Sequence, residues 1–170
     1  RWRQAEGVYK ANRAMVVAAL GEPTDFALEL DARLEAGVLK GVLRVRGPVR
    51  SGVRVHLTLA ERAVLYPGES TVVVHRMLAR APLLGLSGEG WEPTQGAMEL
   101  PFEVGLADIQ RENEDYLDEL QGAGLGAVEK FGTAIDASQV RLVAHLRNPF
   151  TRETLGALSA APERPEEDAP

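Results

Sequence analysis

Between residues 26 and 35 the chain alternates one residue at a time. Phe26, Leu28, Leu30, Ala32 and Leu34 fall on one parity; Ala27, Glu29, Asp31, Arg33 and Glu35 fall on the other. A period of two puts every apolar side chain on one face of an extended strand, and a helix cannot do so. A second run repeats the pattern, with Leu39, Gly41, Leu43 and Val45 against Lys40, Val42, Arg44 and Arg46. Ala36-Gly37 lies between them, so the two runs read as a hairpin. One half-apolar hairpin cannot stand alone in water, so its apolar face requires a second layer.

The rest of the chain supplies that layer. Residues 53–80 read as consecutive strands. Val53, Val55, Leu57 and Leu59 share a face, with Arg54, His56 and Thr58 on the other. A short strand over 63–66 is expected to enter a tight turn at Tyr66-Pro67-Gly68-Glu69, and a strand over 71–80 to return from it. Residues 81–96 are Gly/Pro-rich and irregular, and Trp91 is expected to cap an open end. Met98, Leu100, Phe102 and Val104 alternate again, and Pro101 confines that strand to a sheet edge because it donates no ladder bond.

Three segments leave this pattern. Residues 106–120 have helical period, with Leu106, Ile109, Tyr116, Leu117 and Leu120 on one face and Asp108 as N-cap. Residues 1–20 also read as a helix, carrying Trp2, Val8, Tyr9 and Met15, stopped by Gly21 and Pro23. Residues 161–170, APERPEEDAP, are acidic and Pro-rich and are expected to be disordered. Strands over 140–146 and 153–160 complete seven or eight. The fold class is mainly β: an immunoglobulin-like antiparallel β-sandwich with an N-terminal helix and one crossover helix. The expected organisation is a connector helix over 1–22, the sandwich over 26–160 and the tail over 161–170.

Composition narrows function by exclusion. Aromatic residues are 5% of the 170, so the core must be built from Val, Leu and Ala. A net charge of -6 disfavours nucleic acid and anionic lipid as partners. No cysteine is present, which removes disulfides, thiolate nucleophiles and Cys-ligated zinc. No apolar run reaches the ~20 residues of a membrane span. The chain starts at Arg1 and has no secretory h-region, so a processed product or one domain of a longer chain is expected.

No constellation of catalytic residues emerges, and no metal or cofactor is expected. His56, His75 and His145 fall on different strands without metal-ligand spacing. Parity points His56 and His145 away from the apolar faces. Glu112, Glu114, Asp115, Asp118 and Glu119 form a solvated helix face and lack a calcium-loop pattern. The charge pair Glu61 and Arg80, on strands joined by the 66–69 turn, reads as a structural ion pair that fixes strand register.

The segments VHLTLAERAVLYPGE, VVHRMLAR, LPFEVGLADIQRENEDYLDEL and VRLVAHLRNPFTRETLGALSAA together resemble the C-terminal β-sandwich domain of Omp28-like secreted bacterial proteins. The likeness is to a planctomycete-type group in which a thioredoxin-like domain often precedes the sandwich. The matching residues are Glu61, Val64, Tyr66 and Gly68, then His75 and Arg80, Tyr116 and Leu117, Val143 and Ala144, and Thr151, Glu153, Leu155 and Ala157. Arg76 stands where the group has a second histidine, Arg147 where it has glutamine, and no CxxC occurs.

The resemblance implies a fold and export to the periplasm or cell exterior; it implies no chemistry. The expected function is a non-catalytic interaction or structural module, an accessory subunit of a periplasmic or membrane-attached assembly. Its protein partner is expected to meet Trp2, Val8, Tyr9, Met15 and Trp91. The alternatives are an accessory domain of a thioredoxin-like redox protein, and a small-ligand-binding domain using Trp91.

Overall fold

The computed structural model describes residues 23–48, 52–65, 74–84, 90–93, 96–123 and 133–165, with scattered positions between 7 and 18. The helix expected over 1–20 and the turn at 66–69 thus fall largely or wholly outside the described residues.

Among the described residues seven strands form two antiparallel sheets, a β-sandwich. The first sheet has the order β1-β2-β5, with β1 Ala27–Glu35, β2 Val38–Arg46 and β5 Ala97–Gly105. The second has the order β4-β3-β6-β7, with β3 Arg54–Leu65, β4 Val74–Pro82, β6 Val140–Arg147 and β7 Thr154–Ala160. The chain crosses between sheets after β2, after β4 and after β5.

The alternation in the sequence maps directly onto the two inner faces. Leu39, Leu43, Leu57, Leu59, Leu142 and Leu146 are wholly buried between the sheets. Ala36 and Gly37 close the first hairpin with φ of 48° and 77°, the left-handed pair that a two-residue loop requires. Gly41 leaves room for an aromatic ring: a Cβ there would lie 2.9 Å from Cζ of Phe102 and 2.8 Å from Cα of Ala32. Pro101 lies in β5, which among the described residues pairs only with β2 and is there an edge strand.

Several details differ from the sequence expectations. Residues 63–65 are not a separate strand; β3 runs unbroken from Arg54 to Leu65. The helix α1, Leu106–Gly122, is capped by Gly105, and Asp108 sits inside its first turn, paired with Arg111 at 2.6 Å. Only Leu106 and Ile109 of α1 are buried, and Tyr116 is 59% exposed. The helix therefore buries its first turns most deeply, while Leu117 and Leu120 farther along stay half-buried.

The first half of the presumed tail is held in place. Glu163 forms a parallel bridge to Arg33, giving its N–H to the Ala32 carbonyl and accepting from Leu34 N–H, both at 2.8 Å. Composition argued for disorder here. The open edge of β1 offered unpaired backbone groups, and pairing them outweighs the polar composition.

Candidate functional site

Two polar constructions stand out. The first is buried. Glu61 continues the inward parity of Val53, Val55, Leu57 and Leu59, so its carboxylate enters the core and is 2% exposed. Arg80 reaches it because of a bulge. Leu59 faces Ala81 and Ala60 faces Ala79, which leaves Arg80 as the extra residue on β4. A bulge re-aims the side chain of its inserted residue. Arg80 Nε donates to Glu61 Oε2, and its side chain is 9% exposed.

The remaining carboxylate oxygen, Oε1, accepts the Asp136 N–H at 2.8 Å. Arg80 Nη2 also donates to the Ala134 carbonyl at 3.5 Å, and Asn113 of α1 donates to the Arg80 carbonyl at 3.3 Å. Thr133 donates to Glu114 at 3.1 Å, turning that carboxylate inward from the acidic helix face. The pair thus ties β3, β4, α1 and the 133–136 segment leading into β6.

The second construction lies on the outer face of the four-stranded sheet. His56 and His145 are direct cross-strand partners. Their rings stack with centroids 4.6 Å apart and planes 9° from parallel. Two residues along, Arg54 faces Arg147. Burial, then Arg147 and Arg54, hold His56 below the usual histidine range. His145 is lowered by burial, by His56 and by Arg147.

Gly90 makes the stack possible on its other side. Its φ is 72°, and a Cβ there would lie 2.8 Å from Cε1 and 2.9 Å from Nε2 of His56. The backbone of 90–91 runs alongside β3, where Trp91 exchanges both hydrogen bonds with Val55 at 2.7 and 2.8 Å. Glu92 pairs with Arg54 at 2.5 Å. Hydrogen bonds from the Arg54 side chain and the Gly52 N–H hold the Glu92 carboxyl below its ordinary range.

The structure brings Glu61 and Arg80 together. It places Trp91, 50% exposed, at the Arg54 end of the sheet. Trp2, Val8, Tyr9 and Met15 lie outside the described residues. His75 pairs with Val64 at the opposite end of β3, away from the other two histidines. Sequence reasoning turned His56 and His145 outward but missed their stack. The signal is the register of β3 against β6, which neither strand carries by itself. Phe150, 85% exposed in the β6–β7 loop, was also missed. A Cβ at Gly52 would touch its ring, so Phe150 lies at the same end as Trp91 and Glu92.

Among the described residues no group of three or more His, Asp or Glu side chains is placed to hold a metal, and no helix is long and apolar enough to cross a membrane. Two surface cavities, of about 570 and 370 Å³, are lined by other residues than Trp91. The larger lies over Val42 and Pro101 on the outer face of the three-stranded sheet. The smaller lies between the first hairpin turn and residues 136–138.

No family model and no curated protein matches this chain. Among solved structures, a domain of the outer membrane lipoprotein Omp28 from Porphyromonas gingivalis aligns over 84% of this chain and 92% of its own length, with a TM-score of 0.51 and 10% identity. The β-sandwich described above is therefore similar in fold to the Omp28 lipoprotein domain, the family whose motifs the sequence resembles.

Proposed function

We propose that this chain is an exported, non-catalytic β-sandwich module that binds another protein through one end of its four-stranded sheet. The observation that carries this reading is the exposure of Trp91 and Phe150 at the end of the sheet that also holds the Arg54–Glu92 pair. Large aromatic side chains on a rigid sheet end, rimmed by a charged pair, have the composition of interface anchors. The apolar stripe of Trp2, Val8, Tyr9 and Met15 is a second contact surface, on its periodicity alone. Export rests on the Omp28 likeness, whose solved member is an outer membrane lipoprotein domain.

The immunoglobulin-like type is part of the same proposal. An immunoglobulin constant domain places its first, second, fifth and fourth strands in one sheet. Here the fourth strand pairs with the third in the other sheet, as a strand-switched relative would. A small-ligand reading centred on Trp91 is the alternative; the two cavities lined by described residues do not include that residue.

A photo-crosslinking residue at position 150, expressed in the native cell envelope, tests the interface. The expected result is one discrete protein adduct, abolished by Trp91→Ala and absent with the crosslinker at Lys40. Equal labelling from positions 150 and 40 would remove the basis for a docking end.

A further inference from the structure

The stacked histidines and the arginines beside them form a two-by-two block across β3 and β6: Arg54 opposite Arg147, and His56 opposite His145. All four side chains are basic in a protein whose net charge is -6. The charges facing the stack can be named element by element. From β3 comes Arg54; from β6 come Arg147 and, farther along, Arg141. The 90–92 segment contributes Glu92, whose carboxylate is already taken by Arg54. From β7 the residue opposite His145 is Ala157, which is uncharged. Arg147 makes no ion pair among the described residues.

Two imidazoles stacked at 4.6 Å cannot both take a proton without strong repulsion, and Arg147 adds to it. An anion seated over the block reverses that balance. It would meet the guanidinium of Arg147 and the outward edges of two imidazolium rings, whose protonation its own charge favours. Two imidazolium charges match a divalent anion, and the planar fork of Arg147 suits a tetrahedral oxyanion. Gly90 packs against the Cε1–Nε2 end of the His56 ring, and the two rings lie nearly parallel beside Arg54 and Arg147.

We propose that His56, His145, Arg54 and Arg147 form a proton-linked binding site for a small divalent oxyanion of the sulfate or phosphate type. Arg147 and the two histidines contact the anion. Arg54, engaged by Glu92, supports it by charge. Binding takes up protons, so affinity rises as pH falls through the histidine range. The block shares Arg54 with the end of the sheet that carries Trp91 and Phe150, but the anion site does not rest on protein docking there.

The test is a histidine titration by NMR on the whole chain, from about pH 5 to pH 8. It is run with inorganic sulfate and, at matched ionic strength, with chloride. Sulfate keeps its charge over this range, and His75, remote on β4, is the internal control. Sulfate is expected to raise the His56 and His145 midpoints by about 1 unit, the lower end of the effect of an adjacent opposite charge, and to leave His75 in place. Arg147→Gln is expected to abolish the sulfate effect while leaving the fold, read from the His75 line and the amide spectrum, intact.

Equal midpoints in sulfate and chloride, or the same sulfate-specific rise at His75, would overturn the proposal. So would a full sulfate effect in the Arg147→Gln protein. Flotation with phosphatidic acid vesicles, whose phosphomonoester headgroup can carry a second charge, separates the sources of the oxyanion. Co-flotation lost in Arg147→Gln places it on a lipid headgroup, and no co-flotation beside a positive sulfate titration places it free in solution.

Discussion

Replacing Glu61 by alanine should be among the most damaging single changes on the polar side of this fold. The carboxylate is 2% exposed and the Arg80 side chain 9%, so its removal strands a guanidinium away from water. Breaking a buried pair from one side costs about 3–5 kcal/mol. The Asp136 N–H loses its acceptor as well, adding about 1–3 kcal/mol where water cannot replace it. The terms share a site and do not add fully, so roughly 4–6 kcal/mol is expected from the two together. That approaches the whole stability of an ordinary domain.

Replacing both partners by apolar residues of similar size, Glu61→Leu with Arg80→Met, should cost far less, because no charge is left unpaired. Urea denaturation of the two single variants and the double variant gives the coupling directly. A Glu61→Ala protein whose midpoint barely moves at unchanged slope would refute the burial argument. A double variant as unstable as the sum of the singles would show that the pair is not the seat of the effect.

The folded-state values of His56 and His145 lie below the 6.5 of an unperturbed histidine. The unfolded chain therefore binds more protons below that point, and stability, complete above 6.5, declines as pH falls towards the folded values. Melting temperature should be flat above neutrality and fall below it, more gently in His145→Gln. Glu92, also lowered, adds a loss only at lower pH, below its ordinary 4.5. Gly90→Ala should destabilise through its positive φ and displace His56, and loss of the ring-current shifts of the stack would report the displacement. Leu57→Ala should cost about 2–5 kcal/mol from the centre of the core, whereas Phe150→Ser, at a site 85% exposed, should stay within about 0.5 kcal/mol; chemical denaturation compares them.

Local rules and long-range pairing were unequally legible in the sequence. The alternation from Phe26 to Val45 specified a hairpin and its inner face because period and turn chemistry are contained in the run itself. The same alternation, carried one step past Leu59, already places Glu61 inside. Nothing local marks Arg80 as a bulge, since a bulge exists only relative to a partner strand. The histidine stack was hidden for the same reason: parity turned each ring outward, but only the β3–β6 register makes them opposites. In α1, amphipathic spacing suggested that Tyr116 would be covered, although a helix buries only the turns that meet a neighbour. At Glu163 composition misled, because an open strand edge orders a polar segment through its backbone.

The inserted residue in β4 also bears on how the chain avoids wrong answers. A β3–β4 hairpin closed without the bulge would slide the flanking residues by one and turn them to the opposite face. Arg80 would then no longer be aimed at Glu61, whose carboxylate would enter the closing sandwich alone. Such a register would stay open to water until it rearranged, because sealing it would bury a lone charge. The bulge and the acid together thus disfavour closure of the second sheet over the first in the wrong register.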